Sequence, residues 1–510
     1  MTQTDFATGL RLMAEGRFAE AARHLETARA ATPTAPQIAH ALGLALFKAG
    51  DLGDAESVLR AAHDLSPGDD DILDALALVQ IKAGNWNAAL STLGRCAQTP
   101  DVLADQALAL NELGRFAEAE TMASKALETD ACHADAYNAL GLAFNGQNRL
   151  AEAEAVFRHM ADNRLGVNNL GLNNLGNVLK RQGRTAEAEA CYRDLLTHFP
   201  DAADIHFNLA HALLLGGNLR RGLAEYEWRL KNRAPGLPLR EMAAPRWHAV
   251  EQGADWDGKT LLIHAEQGFG DTIQFARFLP RMIERGRVVV ELPRSLTELL
   301  APLTRGAVVV PKGEPLPPYD LHCPLVSLGH ELGIGLDDLD GAPYLSADPA
   351  KTASWAERLP KKTGLRAGIL WAGNPIHADD RNRSIDPTRL DALWRRPGIS
   401  WVNLQKDGPS PCPCPGADPT AELADFSDTA AVLDNLDMVV TVDTAVAHLA
   451  GAMGVPCLVM LAYAPDWRWL LERKDSPWYR SLTLLRQPRP GDWASVIAEA
   501  AERLRDAAPR

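Results

Sequence analysis

One short pattern recurs through the first half of the chain and constrains everything else. It is a glycine or its substitute, a polar residue, an apolar residue, and then small or acidic positions. It reads GRFAEA from Gly16, GDLGDA from Gly50, GNWNAA from Gly84, GRFAEA from Gly114, NRLAEA from Asn148, GRTAEA from Gly183 and GNLRRG from Gly217. The intervals are 34, 34, 30, 34, 35 and 34 residues. A fixed period of this length means one supersecondary unit repeated, and such units bury an apolar face only by stacking on each other. Leu42-Gly43, Leu140-Gly141, Leu175-Gly176 and Leu209-Ala210 each begin eight residues before the glycine position, where small residues let two helices approach closely. Pro33, Pro67, Pro100 and Pro200 stand where the second helix of a unit must stop.

The period is that of tetratricopeptide repeats, so residues 1–234 are expected to form an all-α superhelix of about seven units. Its concave face would hold a protein or peptide partner. Asn174 and Asn208 occupy the same position in consecutive units, just before the Leu pair. A side-chain amide there can pair with both backbone groups of an extended peptide, which makes both acceptor-binding candidates; an exposed helix also tolerates Asn for no such reason. The unit that is four residues short predicts irregular packing of the helices around Asp101 to Asn111.

After a linker at 235–257 the period changes. Short β-branched runs alternate with helical patterns: TLLIHA, a helix over Asp271 to Arg285, RVVVEL, a helix over Leu296 to Leu303, and VVVP. A Pro- and Gly-rich stretch from Gly335 to Lys362 interrupts, and alternation resumes with AGILWAG, WVNLQ, MVVTVD and CLVML. This predicts two parallel sheets with crossover helices, in Rossmann-like halves over 258–360 and 361–510. Ligands bind such sheets at the carboxyl ends of strands. Two loops have suitable chemistry: Gly268 and Gly270 leading into Asp271, and Asp443 and Thr444 at a helix start whose free N–H groups favour a phosphate. Each can equally be a local turn and an N-cap. Glu291, 20 residues after Asp271, would fit a dinucleotide fingerprint, but Ile273 stands where its third glycine belongs. His448 lies one turn along the helix from Thr444.

The formal charge of −14 argues against nucleic-acid or anionic-membrane partners. Seven scattered cysteines suit a reducing cytoplasm rather than a disulfide framework. Neither an export signal nor an apolar run of about 18 residues is visible.

EQGFGDTIQFARF, GILWAGNP followed by DRNRSI, VNLQKDG, DFSDTAAVLDNLD, VDTAVAHLAGAMGVP and DWRWLLERKDSPWYRSLTLLRQ occur in order from about Trp247 to the end. Together they resemble the catalytic half of bacterial tetratricopeptide-repeat glycosyltransferase fusions. That half is similar to the heptosyltransferases, with the two-domain GT-B fold, and the layout resembles O-linked N-acetylglucosamine transferase. The resemblance implies that Asp271 is the catalytic base, and that Asp443, Thr444, Ala445 and His448 bind donor sugar and diphosphate. Gly268 and Gly270 would line the donor cleft, and Arg381 or Arg383 and Lys406 would face donor phosphates. Heptosyltransferases carry Lys where this chain has Arg383 and lack the repeats, so heptose is not implied as donor. Some repeat-bearing relatives act on flagellin-like acceptors; no residue here singles that out.

The expected reaction is a metal-independent, inverting transfer from a nucleotide sugar, a co-substrate rather than a cofactor, to a protein held by the repeats. Cations and a helix start would offset charge on the leaving phosphate. A carboxylate at a helix start is stabilised as the anion, so Asp271 can act as base or only orient the hydroxyl. Asp338-Leu339-Asp340 reads as a solvated turn. Trp467 and Trp469 suit either stacking on the donor or core packing, with Arg468 pointing to the opposite side of any helix. Cys412 and Cys414 lack a second pair for metal. The last helix, Trp493 to Arg505, is expected to cross onto the first Rossmann half. The alternatives are a non-catalytic scaffold with a degenerate transferase domain, a transferase for glycan or lipid acceptors, and a dinucleotide oxidoreductase.

Overall fold

The repeated glycine is where the chain reverses between paired helices. A computed structural model describes residues 2–166, 169–231, 240–249, 256–377, 379–406, 408 and 412–507. Gly16, Gly50, Gly84, Gly114, Gly183 and Gly217 all have φ between 72° and 96°, and Asn148 takes the position at 61°. A residue without Cβ adopts this left-handed turn without strain, and Asn tolerates it better than most. The alanine five positions on, as Ala21, Ala55, Ala89, Ala119, Ala153 and Ala188, is 0% exposed every time. The small residue after Leu is equally necessary: a Cβ on Gly43 would lie 2.4 Å from Leu59 Cγ, and one on Gly141 2.5 Å from Phe157 Cζ.

The chain resolves into two compact units, Met1–Val178 and Leu179–Arg510. The first is an all-helical tetratricopeptide superhelix. Its core runs from pair to pair, as where Leu12, Leu25, Leu42, Val58 and Ile72 join one apolar cluster. The short unit departs from expectation: Pro100–Glu112 is a regular helix of 13 residues, and the loss falls on Trp86–Leu93, with 8. The truncated end is repaired by amides, since Gln98 and Gln106 donate to the Leu93 carbonyl at 3.1 and 3.0 Å, satisfying an acceptor that the missing turn leaves open.

The second unit opens with helices Thr185–His198, Ala203–Leu215 and Leu219–Tyr226. Leu214, Leu219, Leu223 and Tyr226 share one apolar cluster with Leu261, Ile263 and Phe275 of the α/β region. Of the expected linker, residues 240–249, 256 and 257 are described, and in it Trp247 and Trp256 are buried edge-to-face at 5.5 Å.

Two sheets follow, and the named strands in them pair in parallel throughout. The first contains β1 (Thr260–His264), β2 (Arg287–Leu292), β3 (Val308–Pro311) and β4 (Leu321–Pro324), in the order β3-β2-β1-β4. The second contains β5 (Leu365–Leu370), β6 (Ile399–Asn403), β7 (Met438–Val442), β8 (Cys457–Leu461) and β9 (Leu482–Arg486), in the order β6-β5-β7-β8-β9. Strands β4 and β9 lie outside the expected runs; LHCP is short and ends in proline.

The expected helix over Asp271 to Arg285 is two helices, Phe269–Ala276 and Leu279–Ile283, with Pro280 opening the second. Leu296 to Leu303 is spanned by 3-10 turns rather than an α-helix. Pro349–Arg358, inside the Pro- and Gly-rich stretch, is a helix capped by Asp348, which accepts from the Ala350 and Lys351 amides. The last helix, Trp493–Ala507, does not cross to the first sheet; it packs on β8, β9 and the Asp391–Trp394 helix. The crossing is made earlier, where Arg277 donates to the Trp478 carbonyl and Phe275 meets the Trp478 ring at 6.0 Å. Among the described residues no helix is long and apolar enough to cross a membrane.

Candidate functional site

In each sheet the strand order reverses at one point: between β1 and β4 in the first, between β5 and β7 in the second. Such reversals leave a crevice beyond the strand ends, where neighbouring loops diverge. The loops after β1, β5 and β7 carry most of the candidate residues, and the fold brings two of them together. A Cβ on Gly270 would lie 2.8 Å from His448 Cδ2 and 3.6 Å from Ala445 Cα. The start of the Phe269–Ala276 helix therefore abuts the start of the Ala445–Met453 helix.

Asp271 is the third residue of the first of these helices and has both carboxylate oxygens engaged. Oδ2 accepts the Gly268 N–H at 3.1 Å, and Oδ1 accepts from Arg468 Nη2. A carboxylate so held is fixed in orientation, with its remaining lone pairs turned away from both donors.

Arg468 comes from the turn Trp467–Trp469. It also donates to Asp466 Oδ1 at 2.8 Å and Gln274 Oε1 at 2.7 Å, and lies over the Trp467 ring at 4.2 Å. Burial works against its charge, but Asp466 and then Asp271 hold it protonated. Asp466 is kept below the ordinary carboxylate range: burial would raise it, and Arg468 outweighs burial. Asp443 moves up, through burial first and Asp466 second.

Asp443 follows β7, and its carbonyl accepts from Arg383 Nη1 at 3.2 Å. Thr444 is the N-cap of the Ala445–Met453 helix without a side-chain cap bond; its hydroxyl pairs with Thr441 at 3.1 Å. The first amides of this helix are thereby left for an anion. His448 is buried, bonded to the Tyr479 hydroxyl at 3.0 Å and stacked on Trp469 at 5.2 Å. Burial, and then Arg468, lowers it to about 3, so it contributes hydrogen bonding and shape, not charge, at neutral pH.

The structure separates the two arginines. Arg383 is half-buried against Asp443 and pairs with Asp380 at 3.1 Å, whereas Arg381 is exposed. Lys406 rests on the Leu423 carbonyl at 3.2 Å. Asn174 spends its amide on Asn138 at 2.7 Å in the first unit, while Asn208 is half-buried on the Ala203–Leu215 helix of the second.

Several alternative roles close. Glu291 is 2% exposed and bonded to Arg240 at 2.6 Å, which removes the acid a dinucleotide ribose would need. Trp467 and Trp469, at 2% and 0% exposure, are core and not stacking platforms. Asp338 caps Gly335 and pairs with Arg220 at 2.8 Å.

Sequence reasoning missed Arg468, because the turn is a 3-10 segment that directs its side chain inward between two buried tryptophans. It also missed the support from the last repeat. Arg229, 3% exposed, donates to Glu227 at 2.7 Å, Glu266 at 2.8 Å and Ser327 at 2.8 Å. Gln267 donates to the Tyr226 hydroxyl at 3.0 Å. A buried arginine beside Glu-rich flanks was the available signal.

Tetratricopeptide-repeat models match residues 6–70, 104–164 and 173–237, and another such model matches 46–99. Protein FlbA of Caulobacter vibrioides is 29% identical over 341 residues, 60% of this chain and 56% of that protein, so the chain spans about half the length of the curated relative it matches. A tetratricopeptide repeat protein from Parabacteroides merdae superposes with TM-score 0.43 at 15% identity, over 46% of this chain and 94% of that one. A thermophilic one from Thermus thermophilus gives 0.31 at 24%, over 35% and 100%. Residues 422–490, which hold Asp443, Thr444, His448 and Arg468, match glycosyltransferase family 9 (heptosyltransferase). The chain thus matches tetratricopeptide-repeat models over much of its first half and the family 9 model over residues 422–490.

Proposed function

We propose that the α/β region is a GT-B glycosyltransferase that moves a sugar from a nucleotide-sugar donor to a hydroxyl on a protein bound by the repeats. The observation that carries this reading is the meeting of Gly270 with His448 and Ala445, which sets the loop ending in Asp271 beside the uncapped helix start at Thr444. The family 9 match over one of those two walls supports the reaction class.

The donor diphosphate would sit on the Ala445–Met453 helix start, with Arg383 beside it, as charge develops on the leaving phosphate. Asp443 and His448 would contact the sugar. The acceptor oxygen would attack the anomeric carbon opposite the leaving group and invert it; the anomeric C–O bond to the donor phosphate would break as the new bond forms, the nucleotide would depart with that oxygen, and the hydroxyl proton would pass along the Asp271 hydrogen bond to solvent. Asp271 would orient the hydroxyl, a role favoured by the two bonds already on its carboxylate. Lys406 would reach donor phosphate only by leaving the Leu423 carbonyl. The repeats would hold the acceptor, for which a flagellin-like protein is the class the resemblance suggests.

The test is nucleotide release from a panel of uridine, guanosine, adenosine and cytidine nucleotide sugars, with Asp443→Ala and Asp271→Ala alongside. One donor should be turned over, and both variants should be slower by about 100-fold or more. Release from no member of the panel, or release indifferent to both substitutions, favours the non-catalytic scaffold.

A further inference from the structure

Asp271 and the helix start at Thr444 come from different sheets, yet one turn touches both walls. Within Trp467–Trp469, Arg468 bonds Asp271 while Trp469 stacks on His448. Trp467 and Trp469 are buried on either side of Arg468. The next residue, Leu470, has φ 56° and ψ −163°, a conformation that costs a bulky residue energy and survives only where the surroundings fix it. The guanidinium is held as tightly as its backbone, with Asp466, Gln274 and the Trp467 face all engaged. It has little freedom to swing toward a ligand.

We propose that Arg468 is a positioning residue that acts through Asp271, clamping one carboxylate oxygen so that the remaining lone pairs meet the acceptor hydroxyl in a single orientation. The proposal rests on the glycosyl-transfer reading above. Because the Gly268 amide fixes the other oxygen, removing Arg468 frees the carboxylate to rotate about one remaining bond. A residue that binds donor phosphate directly would behave differently, since its loss would weaken donor binding.

Arg468→Met, Arg468→Lys, Asp271→Asn and the double variant D271N/R468M are compared in the full chain, with the nucleotide sugar that the wild type turns over. R468M should lower kcat by about 100-fold with donor KM within about threefold, and R468K should recover about a tenth of the wild-type rate. D271N/R468M should be no slower than D271N alone within about threefold, because the arginine then has nothing left to position. Multiplying losses in the double variant, or a rise in donor KM with kcat intact, would overturn the proposal. Hydrogen exchange of the 266–276 amides provides a readout that needs no turnover. It should accelerate in R468M and stay near wild type in R468K, and unchanged exchange in R468M also overturns the clamp. If R468M fails to fold, the R468K kinetics and the D271N/R468K cycle decide by the same criteria. A wild-type chain that turns over no nucleotide sugar counts against the transferase reading, and the exchange result then stands alone for the clamp.

Discussion

The interior of Met1–Val178 is made of alanine and leucine at a fixed spacing, whereas the interior of Leu179–Arg510 also holds charge. Among the described residues, every buried Asp, Glu or Arg side chain lies in the second unit: Arg229, Glu291, Glu331, Arg366 and Arg468. Buried polar groups of the first unit, such as Gln80, Gln106 and Asn111, are neutral, and their amides serve helix ends or neighbouring helices. A stack of identical units needs only small residues where helices cross. Charge inside a fold is costly unless each ion is paired or hydrogen-bonded.

The sharpest way to break this contrast is truncation. Deleting residues 1–178 removes no member of the cluster shared by the last repeat and the sheets, and the remainder should fold. Deletion through 233 takes away Leu214, Leu219, Leu223 and Tyr226, each worth roughly 1.5–3 kcal/mol of burial, and should leave no cooperative melting transition. Cooperative melting of the shorter fragment would show that the last repeat is not part of the folding unit of the two sheets. Single charges come next. Arg229→Ala strands Glu266, while Glu227 keeps Arg246, and should cost about 3–5 kcal/mol in denaturant unfolding of the second unit. Arg17→Ala, at an exposed pair with Glu20, should leave the first unit's midpoint unmoved.

How much of this was legible in the sequence follows the same division. The glycine turns, the buried alanine five positions later and the Leu-Gly contacts are local, so the period displayed them directly. Asp348-Pro349 was also legible as a helix start, an N-cap followed by a proline at the first turn, yet the surrounding Pro and Gly concealed it. The loops at Asp271 and Asp443 could be found from strand ends. Their union could not, since Arg468 and Asp271 are 197 residues apart and nothing in either segment names the other. The same holds for Tyr226 and Gln267, whose bond joins a repeat to a strand loop.

Two smaller effects sharpen the comparison. A Cβ on Gly141 would enter the Phe157 ring, and one on Gly270 would press on His448. Gly141→Ala should destabilise the first unit by about 1–3 kcal/mol and leave nucleotide release intact. Gly270→Ala should slow release by at least about tenfold with the smaller change in melting. Equal effects on activity would remove the distinction between scaffold and site.

Mild acid should also separate the units. Burial lowers His211, His264 and His448 to about 3 each. Their stabilising contribution is complete above the ordinary histidine value of 6.5 and is lost as pH falls from there toward 3. Asp105, half-buried in the first unit, runs the other way: partial desolvation, and then Asp135 and Asp101, raise it to about 6 from 3.8, so its contribution is complete below 3.8 and gone above about 6. Segment-resolved hydrogen exchange between pH 7 and 5 should show the second unit opening more readily while the helices around Asp105 tighten. Parallel loosening of both would contradict the assignment of these groups.

The boundary after Val178 has a consequence for how such a chain can change over generations. Repeats that contact only their neighbours can be duplicated or lost as 34-residue blocks, and upstream of that seam no such event touches Tyr226, Arg229 or the loop they hold. The surface presented by the repeats can therefore drift by gene rearrangement while the second unit stays under separate selection.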